Sequence, residues 1–466
     1  MTALLGYCDK DSVAPGETVR FMVSCIGAER YRAEVVRLIN PQAGPLGTPF
    51  RTEPVDCPAN GEYAGRRQAM YCGSFGVVDP HPLIAGLSSF TVQAMVWPTT
   101  PGRGRQALLG TWSESEERGF GLGLDETGAL VLRLGDGRGD VATVSTGVPL
   151  LARRWYFVAA SFDAGSGRLM LHQEPLADGT FHDQRPVHHG GRVEFRPAPG
   201  PGPFLFAAWH AGEADHPTAD GGLVAGGFFN GRIDRPRLAN RALSRAEMAE
   251  LVGGVLPAGL EEAVVASWDL ALDIPTETLT DTSPNRLHGR TVNLPTRAVT
   301  GHNWSGAVMD WTEAPGEYGA IHFHDDDLVD ANWQPDFELT VPAGMRSGVY
   351  AARLTANEAE FYVPFFVRPP RGEARSKVAY LAATATYIAY INNRGRFLTR
   401  ATELYHGRLT VMDAVDQLLL EYPEMGLSTY DRHSDGSGVC YSSRLRPATN
   451  VKPFGRHWNF NLDLFI

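Results

Sequence analysis

The stretch 154-RWYFVAASFDAGSGRLMLHQ-173 decides the fold class. It holds two runs in which apolar residues alternate, joined by Asp163-Ala164-Gly165-Ser166-Gly167, a composition suited to a hairpin turn. Alternation with period two turns every second side chain to one face of a strand. Working outward, 90-FTVQAMVW-97, 120-FGLGLD-125 and 129-ALVLRLGDG-137 repeat the pattern with turn residues between them. The run 227-GFFNGRIDRPRLANRALSRAEMAEL-251 closes the series with a strand, then Ser244 as N-cap of a short helix. Short strands at regular spacing, without helical crossovers, predict an antiparallel sandwich. The 51 Gly and 32 Pro agree with a chain rich in turns.

The order F-T-V-x-A-x-V-W-P, G-x-L-x-L-x-x-G, R-W-Y-F-V-A-x-S-F-D-x-x-x-G-R-L and G-x-I-D-x-P-R-L resembles a laminin-G/concanavalin-like jelly roll, over about residues 80–270. Such modules bind sugars, bind proteins or serve as scaffolds, so the resemblance speaks for fold only. Trp97, Trp112 and Trp155 suit a sugar groove or the core, and core packing is the expectation.

On the N-terminal side, 12-SVAPGETVRFMVS-24 and 31-YRAEVVRLI-39 each read as a strand, but two strands bury no core. The run 336-DFELTVPAGMRSGVYAARLTANEAEFYVPFFVRPP-370 gives three more, with turns at 342–344 and 347–348. The expectation is a multidomain, mainly β protein: an immunoglobulin-like β-sandwich split by the inserted jelly roll. Its parts are 1–78, the jelly roll 79–270, connecting loops 271–314, and the returning sandwich strands 315–372. Residues 373–466 change character. The apolar run 377-KVAYLAA-383 reads as a buried parallel strand. In 411-VMDAVDQLLLEY-422, Val411, Val415, Leu418 and Leu419 share a helical face, and together these open an α/β (Rossmann-like) domain. The run 460-FNLDLFI-466 reads as an apolar strand with nothing after it to cover it, so the expected chain is an N-terminal portion of a longer polypeptide, or one completed by a second chain.

A length of 466 residues predicts roughly three domains. The net charge of −11 argues against nucleic acid or an anionic membrane surface as partner. No apolar run has membrane-spanning length, and MTALLGYCDKDS lacks the pattern of a signal peptide. Cys8, Cys25, Cys57, Cys72 and Cys440 are odd in number and form no CxxC, which predicts scattered reduced thiols and a cytoplasmic location.

Three stretches carry chemical potential. The first, 322-HFHDDDLVD-330, puts two His on one face of a strand, yet reads first as a strand followed by a polar turn. The second, 187-VHHGG-191, reads as a loop. The third combines 384-TATYIAYINN-393 with 427-LSTYDRHSDGSGVCYSS-443. Tyr387 and Tyr390 share a face of a helical turn, and His433 and Asp435 are spaced for mutual orientation. A Ser-His-Asp reading with Ser437 lacks the G-x-S-x-G elbow. Phenolate oxygen is a hard donor suited to Fe(III), although residue types alone favour packing for any tyrosine.

The elements 384-TATYIAYIN-392, 426-GLSTYDRHSDGSGVCYSS-443 and 444-RLRP-447 resemble the large (beta) subunit family of N,N-dimethylformamidase, as do AIHFHDDDLVDANW and SGVYAARL. The resemblance spans essentially the whole chain in the same domain order. It implies a mononuclear non-haem iron, as Fe(III), held by two tyrosines and one glutamate. On matching positions the tyrosines are Tyr390 and Tyr430, with Tyr387 as pocket wall. The family's carboxylate lies in a later H-P-E-Y element absent from these residues, so two ligands of three are present and the chain alone is expected to be inactive. The implied reaction is hydrolysis of N,N-dimethylformamide or a similar small formamide to an amine and formate, with His433 and Asp435 as outer residues of the site. Implied partners are a small subunit and further copies of the large subunit. The competing expectation is a jelly-roll scaffold that binds carbohydrate or protein without catalysis.

Overall fold

A computed structural model describes residues 3–40, 50–176, 185–200, 202–214, 222–252, 256, 258–374, 376–394, 404 and 414–451. The chain divides into two compact units, one formed by Cys72–Glu213 with Leu223–Asp327, the other by Met1–Tyr71, Ala214–Gly222 and Leu328–Ile466.

The hairpin at residues 154–173 forms as its pattern requires. Strands Tyr156–Asp163 and Arg168–Pro175 pair antiparallel from Asp163↔Arg168 to Tyr156↔Pro175. Asp163 closes the turn by accepting from the Gly165 N–H at 3.0 Å and the Ser166 hydroxyl at 2.6 Å. Gly167, at φ +68°, supplies the left-handed residue that the turn needs. This hairpin belongs to a sheet ordered Val187–Arg192, Arg168–Pro175, Tyr156–Asp163, Phe90–Pro98, Gly231–Ala239, Ala320–Phe323, Thr296–Val299. A second sheet runs Val141–Pro149, Ala129–Asp136, Arg118–Leu124, Gln106–Gly110, Phe204–Phe206, Phe75–Val78, Gly289–Val292, Thr278–Leu279. Inward residues of both, among them Val92, Leu122, Leu132, Val158, Leu171, Phe204 and Ile321, form one buried core. Trp268 lies in it, stacked on Phe204 at 5.3 Å and edge-on to Phe206 at 4.9 Å. Its indole N–H donates to the Leu287 carbonyl at 2.8 Å, which satisfies the one polar atom it buries.

Helix Arg245–Glu250 starts at Ser244 with a complete capping box: the Ser244 hydroxyl takes the Glu247 N–H, and Glu247 takes the Ser244 N–H. Three segments differ from expectation. Residues 271–314, expected as connecting loops, contribute strands Thr278–Leu279, Gly289–Val292 and Thr296–Val299. Ala320–Phe323, expected among the returning sandwich strands, pairs with Gly231–Ala239. The stretch 187–191, expected as a loop, lies in strand Val187–Arg192. All are short or polar, and their strand state comes from the sheet neighbours they pair with rather than from their own pattern.

In the other unit, Ala3–Cys8, Thr18–Ile26 and Pro335–Thr340 make a three-stranded sheet. A six-stranded sheet contains Ser12–Val13, Ala359–Val367, Gly348–Ala356, Arg30–Asn40 and Arg51–Pro54, with Gly61–Ala64 also paired to Arg30–Asn40. N-terminal strands thus pair directly with strands some three hundred residues later, and Phe21, Val35, Phe337, Tyr350 and Phe365 fill the space between the sheets. Phe21 stacks on Phe337 at 4.8 Å and meets Phe365 edge-on at 5.5 Å.

The segment after residue 370 departs most from expectation. Residues 377–383 form no strand, and Val378 and Leu381 are exposed. An apolar run becomes a buried strand only with sheet neighbours, and among the described residues none pairs with it. The Rossmann-like opening is therefore not formed by these residues. Helix Ala414–Glu421 is present within the expected 411–422, with Leu419 buried against Leu5, Met22 and Trp333. The stretch 460–466 and residues 411–413 lie outside the described residues.

Candidate active site

Helix Thr384–Tyr390 carries Tyr387 and Tyr390 one turn apart. It ends at once because Asn392 takes a left-handed conformation, φ +59°, as asparagine does at helix ends. Asn392 is fully buried, and its N–H and both side-chain polar atoms are used. Its N–H donates to Asn450 Oδ1 at 3.0 Å, and its Nδ2 to the Met425 and Pro447 carbonyls, both at 3.0 Å. Its Oδ1 accepts from the Thr449 N–H and hydroxyl, both at 2.9 Å.

Tyr430 arrives on the loop that follows Gly426. Asp431 shapes this loop: one oxygen accepts from the Ser428 N–H and hydroxyl, at 2.9 and 2.8 Å, and the other from the Arg394 N–H at 2.9 Å. Thr429 ties the loop to the helix, its N–H and hydroxyl both donating to the Ala389 carbonyl at 3.0 and 3.1 Å. The residue before Tyr430 is thereby fixed to the residue before Tyr390.

The two tyrosines meet face to face, ring centroids 3.9 Å apart and planes within 14°. Their hydroxyls hydrogen-bond to each other, which pushes the Tyr390 phenol up to about 12, with a smaller rise from burial. Tyr430 remains largely exposed. Two phenolic oxygens on stacked rings, Tyr430 open to solvent, could offer a cation two hard oxygen donors.

Tyr387 lies elsewhere. It is buried, its hydroxyl 2.7 Å from that of Tyr380, and it lines a hollow of about 70 Å³ with Tyr7, Phe361, Ile388 and Arg444. Tyr390 and Tyr430 are not among the residues lining that hollow. His433 and Asp435 are both buried in a tight turn. The His433 N–H donates to the Ser437 carbonyl at 3.0 Å, and Gly436 turns the chain at φ +86°. Asp435 accepts from the Ser437 N–H at 2.8 Å and its hydroxyl at 2.5 Å, so Ser437 closes this turn.

The remaining candidates serve the two-sheet unit. The rings of His322 and His324 share a face, 4.2 Å apart, and His324 Nδ1 lies 3.2 Å from Asp327, which also accepts from the Ser74 hydroxyl at 2.6 Å. Trp97 lies under the Arg232 guanidinium at 4.6 Å, and Trp112 under that of Arg133 at 4.4 Å. Neither of these two indole faces is left bare for a sugar. The residues that sequence reasoning missed are Asn392, Asp431, Arg446 and Asn450, which hold the tyrosine loops through backbone bonds. Only Asn392 left a signal, an asparagine just past a helix.

Residues 296–464 match the family model described as N,N-dimethylformamidase beta subunit-like, C-terminal. Residues 74–249 match that of the concanavalin A-like lectin/glucanases superfamily. The N,N-dimethylformamidase beta subunit of Paracoccus aminophilus is 38% identical over 479 residues, covering 99% of this chain and 62% of that protein. The chain is a relative of the N,N-dimethylformamidase beta subunits. The Alcaligenes sp. protein of that name is 33% identical over 480 residues, covering 100% of this chain and 63% of its own length. The chain thus spans about three fifths of the length of these curated relatives. Among solved structures, the CBM40 of the Ruminococcus gnavus IT-sialidase aligns with 40% of this chain and 96% of its own, at 16% identity and a TM-score of 0.29. A likeness at that level carries no functional argument.

Proposed function

We propose that the chain forms part of an iron-dependent amidohydrolase that cleaves N,N-dimethylformamide or a similar small formamide to an amine and formate. The observation that carries this reading is the stacked, hydrogen-bonded pair of Tyr390 and Tyr430. The donor set fits a hard ferric ion: two phenols already lie within hydrogen-bond reach, and a cation held by both as phenolates would release both phenolic protons. Tyr390 and Tyr430 would hold it. Bound there, iron would supply Lewis-acid polarisation of the amide oxygen or a more acidic water.

Hydrolysis adds water to the formyl carbon and breaks the C–N bond, and the departing amine needs a proton. This chain's contribution is to fix the two phenols at one spacing. The turn holding His433 and Asp435 frames the Tyr430 loop as an outer support. Tyr387 is the wall of the neighbouring hollow. The strands of 3–40 and 335–367 are best read as one immunoglobulin-like sandwich interrupted by the concanavalin-like unit, a reading supported by their direct pairing. The name beta subunit among the relatives supports a partner subunit, and a small subunit together with further copies of this chain is the assembly proposed. The five free cysteines support a cytoplasmic location.

The test uses the protein as its host makes it, with whatever subunits co-purify. The expected result is near-stoichiometric iron, a visible phenolate-to-iron charge-transfer band and release of dimethylamine. Tyr390→Phe and Tyr430→Phe should each lose the band and more than about 100-fold in rate while keeping the fold, a loss at least as large as that of outer-shell partners. An active, iron-free and colourless protein would overturn the proposal.

A further inference from the structure

Arg446 is fully buried, yet its guanidinium is surrounded by backbone carbonyls and one hydroxyl rather than by a paired carboxylate. Nε donates to the Ser443 carbonyl at 2.9 Å, Nη1 to that of Met425 at 2.8 Å, and Nη2 to that of Leu427 at 2.6 Å. Nη2 also reaches the Ser442 hydroxyl at 3.0 Å and, more weakly, the Ile391 carbonyl at 3.4 Å. The Ser442 hydroxyl in turn donates to the Ile388 carbonyl at 2.7 Å. These groups flank the two tyrosines: Ile388 and Ile391 bracket Tyr390, while Met425 and Leu427 begin the loop that carries Tyr430. A planar fork with donors in fixed directions can tie three chain segments at once, which a lysine ammonium cannot reproduce. Gly426 shows how tightly the fork is seated. It stands at φ +75°, and a Cβ there would lie 2.3 Å from Nη1. Asp431, which shapes the Tyr430 loop, is the carboxylate whose charge offsets that of the buried guanidinium.

We propose that Arg446 is a positioning residue for the phenol pair, setting the register of Tyr390 against Tyr430 through the backbone without touching substrate or metal. Its functional meaning rests on the reading of the pair as ligands, but its structural content does not. Near-UV circular dichroism of the metal-free chain tests the second separately, because two stacked phenols give an exciton contribution that Tyr430→Phe removes. In Arg446→Lys, with far-UV signal unchanged, that contribution should fall to the Tyr430→Phe level, and affinity for Fe(III) offered as its nitrilotriacetate complex should fall at least ten-fold. A folded Arg446→Lys with an intact tyrosine signal overturns the proposal. Should Arg446→Lys not fold, Ser442→Ala decides, since it removes one fork contact and the tie to Ile388. A reduced exciton signal is then expected, and an unchanged one overturns the proposal. Failure of the iron reading would show instead as absence of the charge-transfer band in the unsubstituted protein.

Discussion

The two-sheet unit and the segment 384–451 are organised by opposite means. In the first, alternating side chains from paired strands meet in one apolar core, and backbone groups satisfy each other across the ladder. In the second, among the described residues 384–394 and 414–451, regular structure is brief, and buried polar side chains take over the work of satisfying backbone groups: Asn392, Asp431 and Arg446. Apolar packing is tolerant and shared among many residues. A polar clamp concentrates the same task in a few atoms, each with a required direction. The proposed site, with its two phenols at one spacing, sits on the second kind of structure.

The largest effect expected from breaking this contrast is in the apolar unit. Trp268→Ala removes an indole stacked on Phe204 and edge-on to Phe206 and should cost about 3–5 kcal/mol, read by denaturant unfolding and by lost hydrogen-exchange protection in that unit. Asn392→Ala strands the Pro447 carbonyl and the Thr449 N–H and removes one of the two donors to the Met425 carbonyl, and should cost about 3 kcal/mol. Its signature differs: exchange protection should fall within 384–451 and leave the core strands near their original values. Equal loss across both would refute the idea of a local clamp.

Acid offers a third probe. His172 is fully buried beside His188, ring centroids 4.3 Å apart, and burial pushes its imidazole down to about 4 despite Glu174 at 3.1 Å. Unfolded, it takes a proton near pH 6.5, so between about 6.5 and 4 the unfolded state binds the extra proton. Stability is whole above that window and falls as pH drops through it, by on the order of 2–3 kcal/mol. Unfolding of His172→Gln at pH 7 and pH 4.5 should show a flatter profile than that of the parent. The smallest effect is expected at Ser244→Ala, about 1 kcal/mol from loss of the capping box, seen as a modest drop in Tm.

How much was legible follows from the same contrast. The hairpin of 154–173, the strands from 90 to 137 and the Ser244 cap could be read because period two and capping chemistry are written locally. So could the pairing of early and late strands, since neither set had another apolar partner. Strands such as Thr278–Leu279 and Gly289–Val292 were missed because two to four residues carry no period. Residues 377–383 misled for the converse reason: an apolar run states a preference, and only neighbouring strands can fulfil it. In the site, Tyr390 and Tyr430 were singled out through family resemblance, and the structure stacks them. The arginine fork leaves no pattern in sequence, because its partners are carbonyls that every residue possesses.

The pairing of Thr18–Ile26 with Pro335–Thr340 has a consequence for synthesis. On a ribosome adding about 5–20 residues per second, the first strands emerge roughly 15–60 s before their sheet partners exist. During that interval their backbone edges are open, and the residues of Cys72–Glu213 with Leu223–Asp327 are completed just before the partner strand appears. The unit inserted in the sequence is therefore finished before the one that flanks it, and the nascent chain must keep its waiting strands from pairing with a neighbour's.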